Sequence, residues 1–412
     1  MTNGWTTVMP SLSPDQRARL VDEVAGQLSG LSLSELRGDR DKLIGRAAPL
    51  MQAAVSRSGL TVPVSDVTEM IREVVARLGG LGYLEPMLRL DSGLSEITMT
   101  PAGDVWVLRK GELAFERVTA RPSPTEAWRA VETLLAPLGR ACTEATPSVD
   151  AKLPRSESLP GGARIKIIHP VVAPGNGYPS INIRLFEPRP VPPEQLIKWN
   201  VAPEPVIRGL VEMASQTYRI LVIGGTASGK TTLLSALAHG IPKWARVVKI
   251  EDPEEIWLDH PHVVTLEARP SQPGSSVPSY TLANAVDDAM RMSPKWLILG
   301  EIRRGDAAAA LFRAQMSDHP GLSTFHAESP QAAVKRLALL LAIDEKFPSS
   351  GAKELFAEAV DVVVQVGSLD GKRALLGVHE VRKELRAGDV AFQSLYAPGD
   401  EKLKPLEAKR IG

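Results

Sequence analysis

The chain has 412 residues, 43% of them apolar and 23% charged, with 48 basic side chains balanced by 48 acidic ones. That is room for two domains of ordinary globular composition, and a formal charge of zero excludes a bulk pull toward nucleic acid or an anionic membrane. Cys142 stands alone, which excludes an intrachain disulfide and a cysteine-built zinc cage; the opening MTNGWTTVMPSLSPDQ lacks the layout of a secretory signal and no run approaches the roughly 20 apolar residues of a membrane span, so a cytoplasmic protein touching a membrane only peripherally is expected.

Residues 1–80 read as a helical segment. Ser13-Pro14-Asp15 is a helix start: an N-cap hydroxyl, proline at the first position and an acid near the positive end. VSDVTEMIREVVARLGG spaces Val67, Met70, Ile71, Val74, Val75 and Leu78 three and four apart and closes on Gly79-Gly80, as a packing helix does.

Residues 81–187 are expected to form a small α+β domain. LSEITMT and VWVLRKGELAFERV suggest short strands, the second a hairpin turning at Lys110-Gly111, followed by a helix over 125–136 and strands in RIKIIHPVV and SINIRLF. Prolines at 188, 190, 192 and 193 then mark a linker over 188–206.

From 207 to 412 strand and helix alternate. RILVIG, RVVKIE, KWLILGE and LSTFHA are apolar runs too short for helices, as the buried strands of a mostly parallel sheet are. The fold class expected is therefore α/β for this domain. VDVVVQVGSLDGKRALLGVHEVR reads as a hairpin turning at Asp370-Gly371, and the tail from Lys383 is mixed.

The apolar run RILVIG leads into Gly224, Gly225, Thr226, Ala227, Ser228, Gly229, Lys230, Thr231 and Thr232, which satisfy the Walker A pattern G-x-x-x-x-G-K-[ST]. Glycines let successive backbone N–H groups curl toward phosphate oxygens, and the helix starting near Lys230 adds its positive end. Lys230 is placed to reach the β- and γ-phosphates of ATP, and the Thr231 hydroxyl to ligate Mg2+.

Hydrolysis also requires groups that place water and manage charge. RVVKI ends in Glu251-Asp252, with Glu255 close behind; KWLIL ends in Gly300-Glu301; LSTF ends in His326. If the strands are parallel, these segments collect beside the phosphate loop, because ligands of such sheets sit beyond the carboxyl strand ends. Glu301 is the candidate to polarise the attacking water, and it reaches Mg2+ through water. Glu251, Asp252 and Glu255 offer charge for metal-bound waters, and His326 a hydrogen bond to a phosphate oxygen.

Taken together, residues 82–382 resemble the secretion traffic ATPases of type II and type IV machinery, nearest the CpaF- and TadA-type ATPases of Flp/Tad pilus assembly and the VirB-type ATPases of conjugation. The resemblance rests on GYLEPML, LSEI, VDAKLP, GGARI and SINIRLF, then GGTASGKTT, KIEDPEEI, PHVVTLEARP, WLILGEIRRGDA and STFHAESP, in that order. It implies a homo-hexameric ring of RecA-like P-loop NTPase motor domains with mobile, PAS-like N-terminal domains, docked on inner-membrane platform proteins of a secretion or pilus machine. KIEDPEEI corresponds to the family's Asp box, Glu301 to the Walker B glutamate with Arg303 two residues on, and His326 to the His box. GGARI and NIRLF correspond to the segments whose arginines, here Arg164 and Arg184, extend toward the terminal phosphate. A guanidinium binds phosphate bidentately and is always charged, so domain closure would depend on the γ-phosphate.

Three departures from the family pattern stand out. Ala227 replaces a third loop glycine, at a cost on the order of 1 kcal/mol if φ is positive there. RSESLP lengthens the loop before Gly161, and SDHPGLSTFH is about one residue shorter than the pilus-branch form, which bears on His319. The alternative reading is a RecA-like nucleic-acid translocase; neutral charge and 5% aromatic content disfavour nucleic acid as a direct ligand. A slow ATP-responsive scaffold is a third reading, disfavoured by the intact set of Lys230, Thr231, Glu301 and His326.

Overall fold

The computed structural model describes residues 12–28, 40–79, 81–88, 92–112, 114–119, 121–155, 159–269 and 278–406. The chain divides into two compact units, 1–188 and 189–412.

The first unit opens with α1 (Pro14–Leu28), α2 (Arg40–Ser58) and α3 (Val64–Gly79). The predicted start of α1 is a capping box. Ser13 Oγ accepts from the Gln16 N–H at 3.2 Å, and Gln16 Oε1 accepts from the Ser13 N–H at 3.0 Å. Met70, Ile71, Val74 and Val75 of α3 are buried against Val21, Val24 and Met51, which is the face their spacing predicts. The Leu78 side chain and Gly80 lie outside the described residues.

After the short α4 (Glu85–Leu88) come β1 (Leu94–Met99), β2 (Val105–Arg109), β3 (Glu116–Arg117), α5 (Pro124–Leu135), β4 (Ser148–Leu153), β5 (Ala163–Ile168) and β6 (Ser180–Leu185). The strands form one antiparallel sheet in the order β3-β2-β1-β6-β5-β4. Alternation decides its faces: Ile165, Ile167, Ile181 and Ile183 are buried with the apolar side of α5, while Arg184 and Asn182 are exposed.

The second unit contains α6 (Pro193–Lys198), α7 (Glu204–Ser215), β7 (Arg219–Gly224), α8 (Lys230–Leu237), β8 (Val247–Glu251), β9 (Val263–Glu267), α9 (Leu282–Met290) and β10 (Trp296–Ile302). It continues through α10 (Gly305–Met316), β11 (Gly321–His326), α11 (Pro330–Glu345), α12 (Ser349–Ala359), β12 (Val362–Leu369), β13 (Lys372–Arg386) and β14 (Asp389–Tyr396). The sheet order is β14-β13-β12-β7-β11-β10-β8-β9, parallel from β12 to β9 and antiparallel at β13 and β14. Both faces are covered. On β7, Leu221 and Ile223 pack with residues of α9–α12, whereas Ile220 and Val222 pack with α7 and α8. This is why the central strands read as unbroken apolar runs.

Two differences from the sequence reading have physical causes. The expected linker over 188–206 is partly helical: Pro193 takes the first position of α6, where its missing N–H costs nothing, and Leu196 is buried. Strand β9 was not expected because an edge strand is half exposed and lacks the apolar run of its neighbours. The mixed tail resolves into the end of β13 and the antiparallel β14. Among the described residues no helix is long and apolar enough to cross a membrane.

Candidate active site

The parallel order β7-β11-β10-β8 puts four carboxyl strand ends side by side. They carry Gly224, His326, Glu301 and Glu251 respectively, and His326 stands directly beside Gly224 in the β11–β7 register.

The loop from Gly224 to Lys230 is shaped by close approach. A Cβ on Gly224 would lie 2.4 Å from the Val366 carbonyl oxygen and 2.5 Å from Ser228 Oγ, so only glycine fits. Gly229 has φ +95° and Ala227 φ +57°. Alanine thus occupies a left-handed position, at a cost of about 1–2 kcal/mol. Ser228 Oγ donates to the Gly225 carbonyl at 2.9 Å. Lys230, 9% exposed, donates to the Gly224 and Gly225 carbonyls at 3.1 and 2.7 Å. Its ammonium is therefore held across the loop, beside the N-terminus of α8. Thr226 is exposed, and Thr231 and Thr232 on the first turn of α8 are half-buried. A tight glycine loop with a buried cation at a helix N-terminus suits a polyphosphate.

Thr231 shares a cleft with Glu251, Asp252, Glu255, Glu301 and Arg303. Glu301 sits on an irregularity: the β10–β11 register shifts between Leu299 and Ile302, and Thr324 Oγ1 donates to the Gly300 carbonyl at 2.6 Å. A bulge of this kind re-aims a side chain out of the ladder. Arg303 Nε donates to Glu301 Oε2 at 2.6 Å, and Arg303 Nη1 reaches the Asp252 carbonyl at 3.5 Å. Burial pulls the Arg303 guanidinium down, but the Glu301 hydrogen bond and charge, with Asp252 and Glu255, outweigh it and push it above its ordinary value. Among the described residues no cluster of three or more His, Cys, Asp or Glu side chains forms a metal cage.

Glu251 differs from the sequence expectation. Its carboxylate, 3% exposed, accepts from the Glu255 N–H at 3.1 Å and the Ile256 N–H at 3.0 Å, and pairs with Lys249 at 2.9 Å. Desolvation raises its pKa against the opposing pull of Lys249. The group anchors the 252–256 turn, because its acceptor capacity is engaged by backbone and lysine. Lys249, 2% exposed, also pairs with Glu254 at 2.7 Å and donates to the Ile256 carbonyl. Sequence reasoning missed Lys249 and Thr324; the available signal was a polar residue inside an otherwise apolar central strand. His319 lies just before β11, at the opposite sheet edge from His326, with Nδ1 3.2 Å from the Ala314 carbonyl.

Arg164 and Arg184 belong to the first unit. They are direct cross-strand partners on β5 and β6. Arg164 lies 3.6 Å from Asp150, and Arg184 is exposed. The lengthened loop RSESLP includes residues 156–158, which lie outside the described residues.

The profile of the type II/IV secretion system protein family matches residues 79–367. The chain belongs to that family. Among curated relatives, a putative conjugal transfer protein of Mycobacterium tuberculosis is 28% identical over 329 residues, covering 77% of this chain and 89% of the relative. An uncharacterised protein of Methanocaldococcus jannaschii is 33% identical over 258 residues, covering 63% of this chain but only 45% of its own length. Among solved structures, the Legionella pneumophila ATPase DotB aligns with TM-score 0.51 and 19% identity, over 74% of this chain and 80% of DotB. The likeness shows a shared α/β fold.

Proposed function

We propose that the chain is a Mg2+-dependent ATPase motor that forms a homo-hexamer and powers a secretion, conjugation or pilus-assembly machine from the cytoplasmic face of an inner membrane. The observation that carries this reading is the meeting of Lys230, Thr231, Glu301 and His326 along one carboxyl sheet edge. In this reading Lys230 binds the β- and γ-phosphates, and the loop amides from Gly225 to Thr232 line the polyphosphate. Mg2+, held by Thr231 directly and by Glu301 through water, would supply charge neutralisation between phosphate oxygens. Glu301, oriented by Arg303 and the bulge at Gly300, takes the proton of the attacking water. Asp252 and Glu255 add negative charge near metal-bound waters, on a turn that Glu251 and Lys249 hold in place. His326 hydrogen-bonds the phosphate end of the site.

Arg164 and Arg184 complete the proposal as a phosphate clamp from the first unit. Like charges directly opposed on a sheet are unfavourable, and a shared anionic ligand would offset that cost. Loss of the γ-phosphate would then weaken the clamp and convert chemistry into motion. Phosphate release by the purified full-length chain, with and without Mg2+, tests the reading. No release at any Mg2+ concentration, together with no ATP binding, rejects it. Strong stimulation by single-stranded DNA with a steep salt dependence would favour the nucleic-acid translocase.

A further inference from the structure

Opposite the acidic flank, β12 lies on the other side of β7. Its pairing with β7 ends at Gln365↔Ile223, while β12 itself continues to Leu369 before turning at Asp370-Gly371 into β13. The hairpin therefore overhangs the phosphate loop. Val366 sets the close approach that requires glycine at 224, and Gln365 Nε2 donates at 2.7 Å to the Glu328 carbonyl, just past His326. On this overhang Arg373, paired in register with Ser368, places its Cδ 3.8 Å from where a Cβ on Gly229 would stand. Arg373 is exposed, and among the described residues it makes no ion pair or hydrogen bond. Its stem lies against the Gly224–Lys230 loop, and its exposed guanidinium is open to a ligand there.

We propose that Arg373 is a second phosphate ligand of the nucleotide site, gripping the α- and β-phosphates from the flank opposite Glu301. The position follows from the loop. Backbone N–H groups of a P-loop cradle the α/β-phosphates, while its lysine reaches toward the γ-phosphate. Arg373 stands beside Gly229, on the side away from Glu301 and the acids of β8. It thus sets affinity for ADP and ATP alike and stays out of the hydrolytic chemistry. This deepens the nucleotide reading above and rests on it.

Calorimetric titration of the full chain with ADP, and steady-state hydrolysis of ATP, test the assignment. Arg373→Ala weakens ADP binding about tenfold or more and raises KM for ATP similarly, with kcat within about twofold. Arg373→Lys recovers part of the affinity as a point charge without the bidentate fork. Lys372→Ala, which removes a neighbouring cation, leaves ADP affinity unchanged. Arg373→Gln keeps a polar side chain there and behaves like Arg373→Ala, which separates lost charge from a disturbed hairpin. Unchanged ADP affinity in Arg373→Ala, a fall in kcat with ADP binding intact, or an equal loss in Lys372→Ala overturns the proposal. Lys230→Ala is the internal control. Full ADP affinity in that variant rejects the nucleotide site and Arg373 with it, whereas its loss beside an unaffected Arg373→Ala rejects Arg373 alone.

Discussion

Arg164 on β5 and Arg184 on β6 stand directly opposite one another across an antiparallel pair. Both belong to the polar face of a sheet whose other face buries Ile165 and Ile183. Directly opposed cations carry a penalty that the single ion pair of Arg164 with Asp150, 3.6 Å and half exposed, offsets only weakly. If the pair grips phosphate, Arg164→Ala and Arg184→Ala each reduce ATP turnover, and the double variant loses less than the product of the two. Turnover assays check this; undiminished activity in both single variants removes the clamp.

In the proposed reading, Lys230 serves nucleotide binding and Glu301 the chemistry. Lys230→Ala abolishes nucleotide binding or hydrolysis, since it removes the buried ammonium that crosses the loop. Glu301→Gln retains ATP binding and loses roughly 10²- to 10⁴-fold in turnover. A Glu301→Gln enzyme working at the parental rate assigns water activation to another group.

Lys249 and Glu251 form a buried pair at 2.9 Å. Lys249→Met leaves a buried carboxylate without its cation and costs about 3–5 kcal/mol, whereas the double variant Lys249→Met/Glu251→Gln costs less. Urea denaturation of the three variants measures the coupling; strict additivity contradicts it. The pH dependence has a definite sign. The folded pKa of Glu251 is raised by desolvation above its ordinary value of 4.5. Its contribution to stability is therefore full below that value and is lost as pH rises through the folded pKa. Glu251→Gln flattens that part of the stability profile.

Asp361 gives the opposite sign. It accepts from Arg219 Nη2 at 2.8 Å and from Lys383 at 2.9 Å, with Arg219 only 4% exposed. Burial alone would push its pKa up, but the Arg219 hydrogen bonds and the charges of Lys383 and Arg219 hold it below its ordinary value of 3.8. Stability from this group is present above 3.8 and is lost as pH falls through the folded pKa. Asp361→Ala strands a buried guanidinium and costs about 3–5 kcal/mol. Acid unfolding compared between parent and variant checks both statements; a variant with the parental acid midpoint contradicts them.

The residues themselves determined whatever depends on near neighbours along the chain. The tight Gly224–Lys230 turn between β7 and α8 is legible because its glycines stand where close approach or positive φ requires them, and the buried strands because both faces of a covered parallel sheet demand apolar residues. The cap at Ser13 and the stripe of α3 are local in the same sense. Tertiary structure decided what depends on register and shared space. The register shift beside Glu301 arises between β10 and its neighbour β11, where Thr324 also donates to the Gly300 carbonyl. Glu251 and Glu301 look equivalent as acids at strand ends and line one cleft, yet Lys249 and two backbone N–H groups engage the first while Arg303 pairs with the second. Arg164 and Arg184, twenty positions apart, become neighbours through strand pairing alone. Periodicity reports which way a side chain points; only the folded chain decides what it meets there.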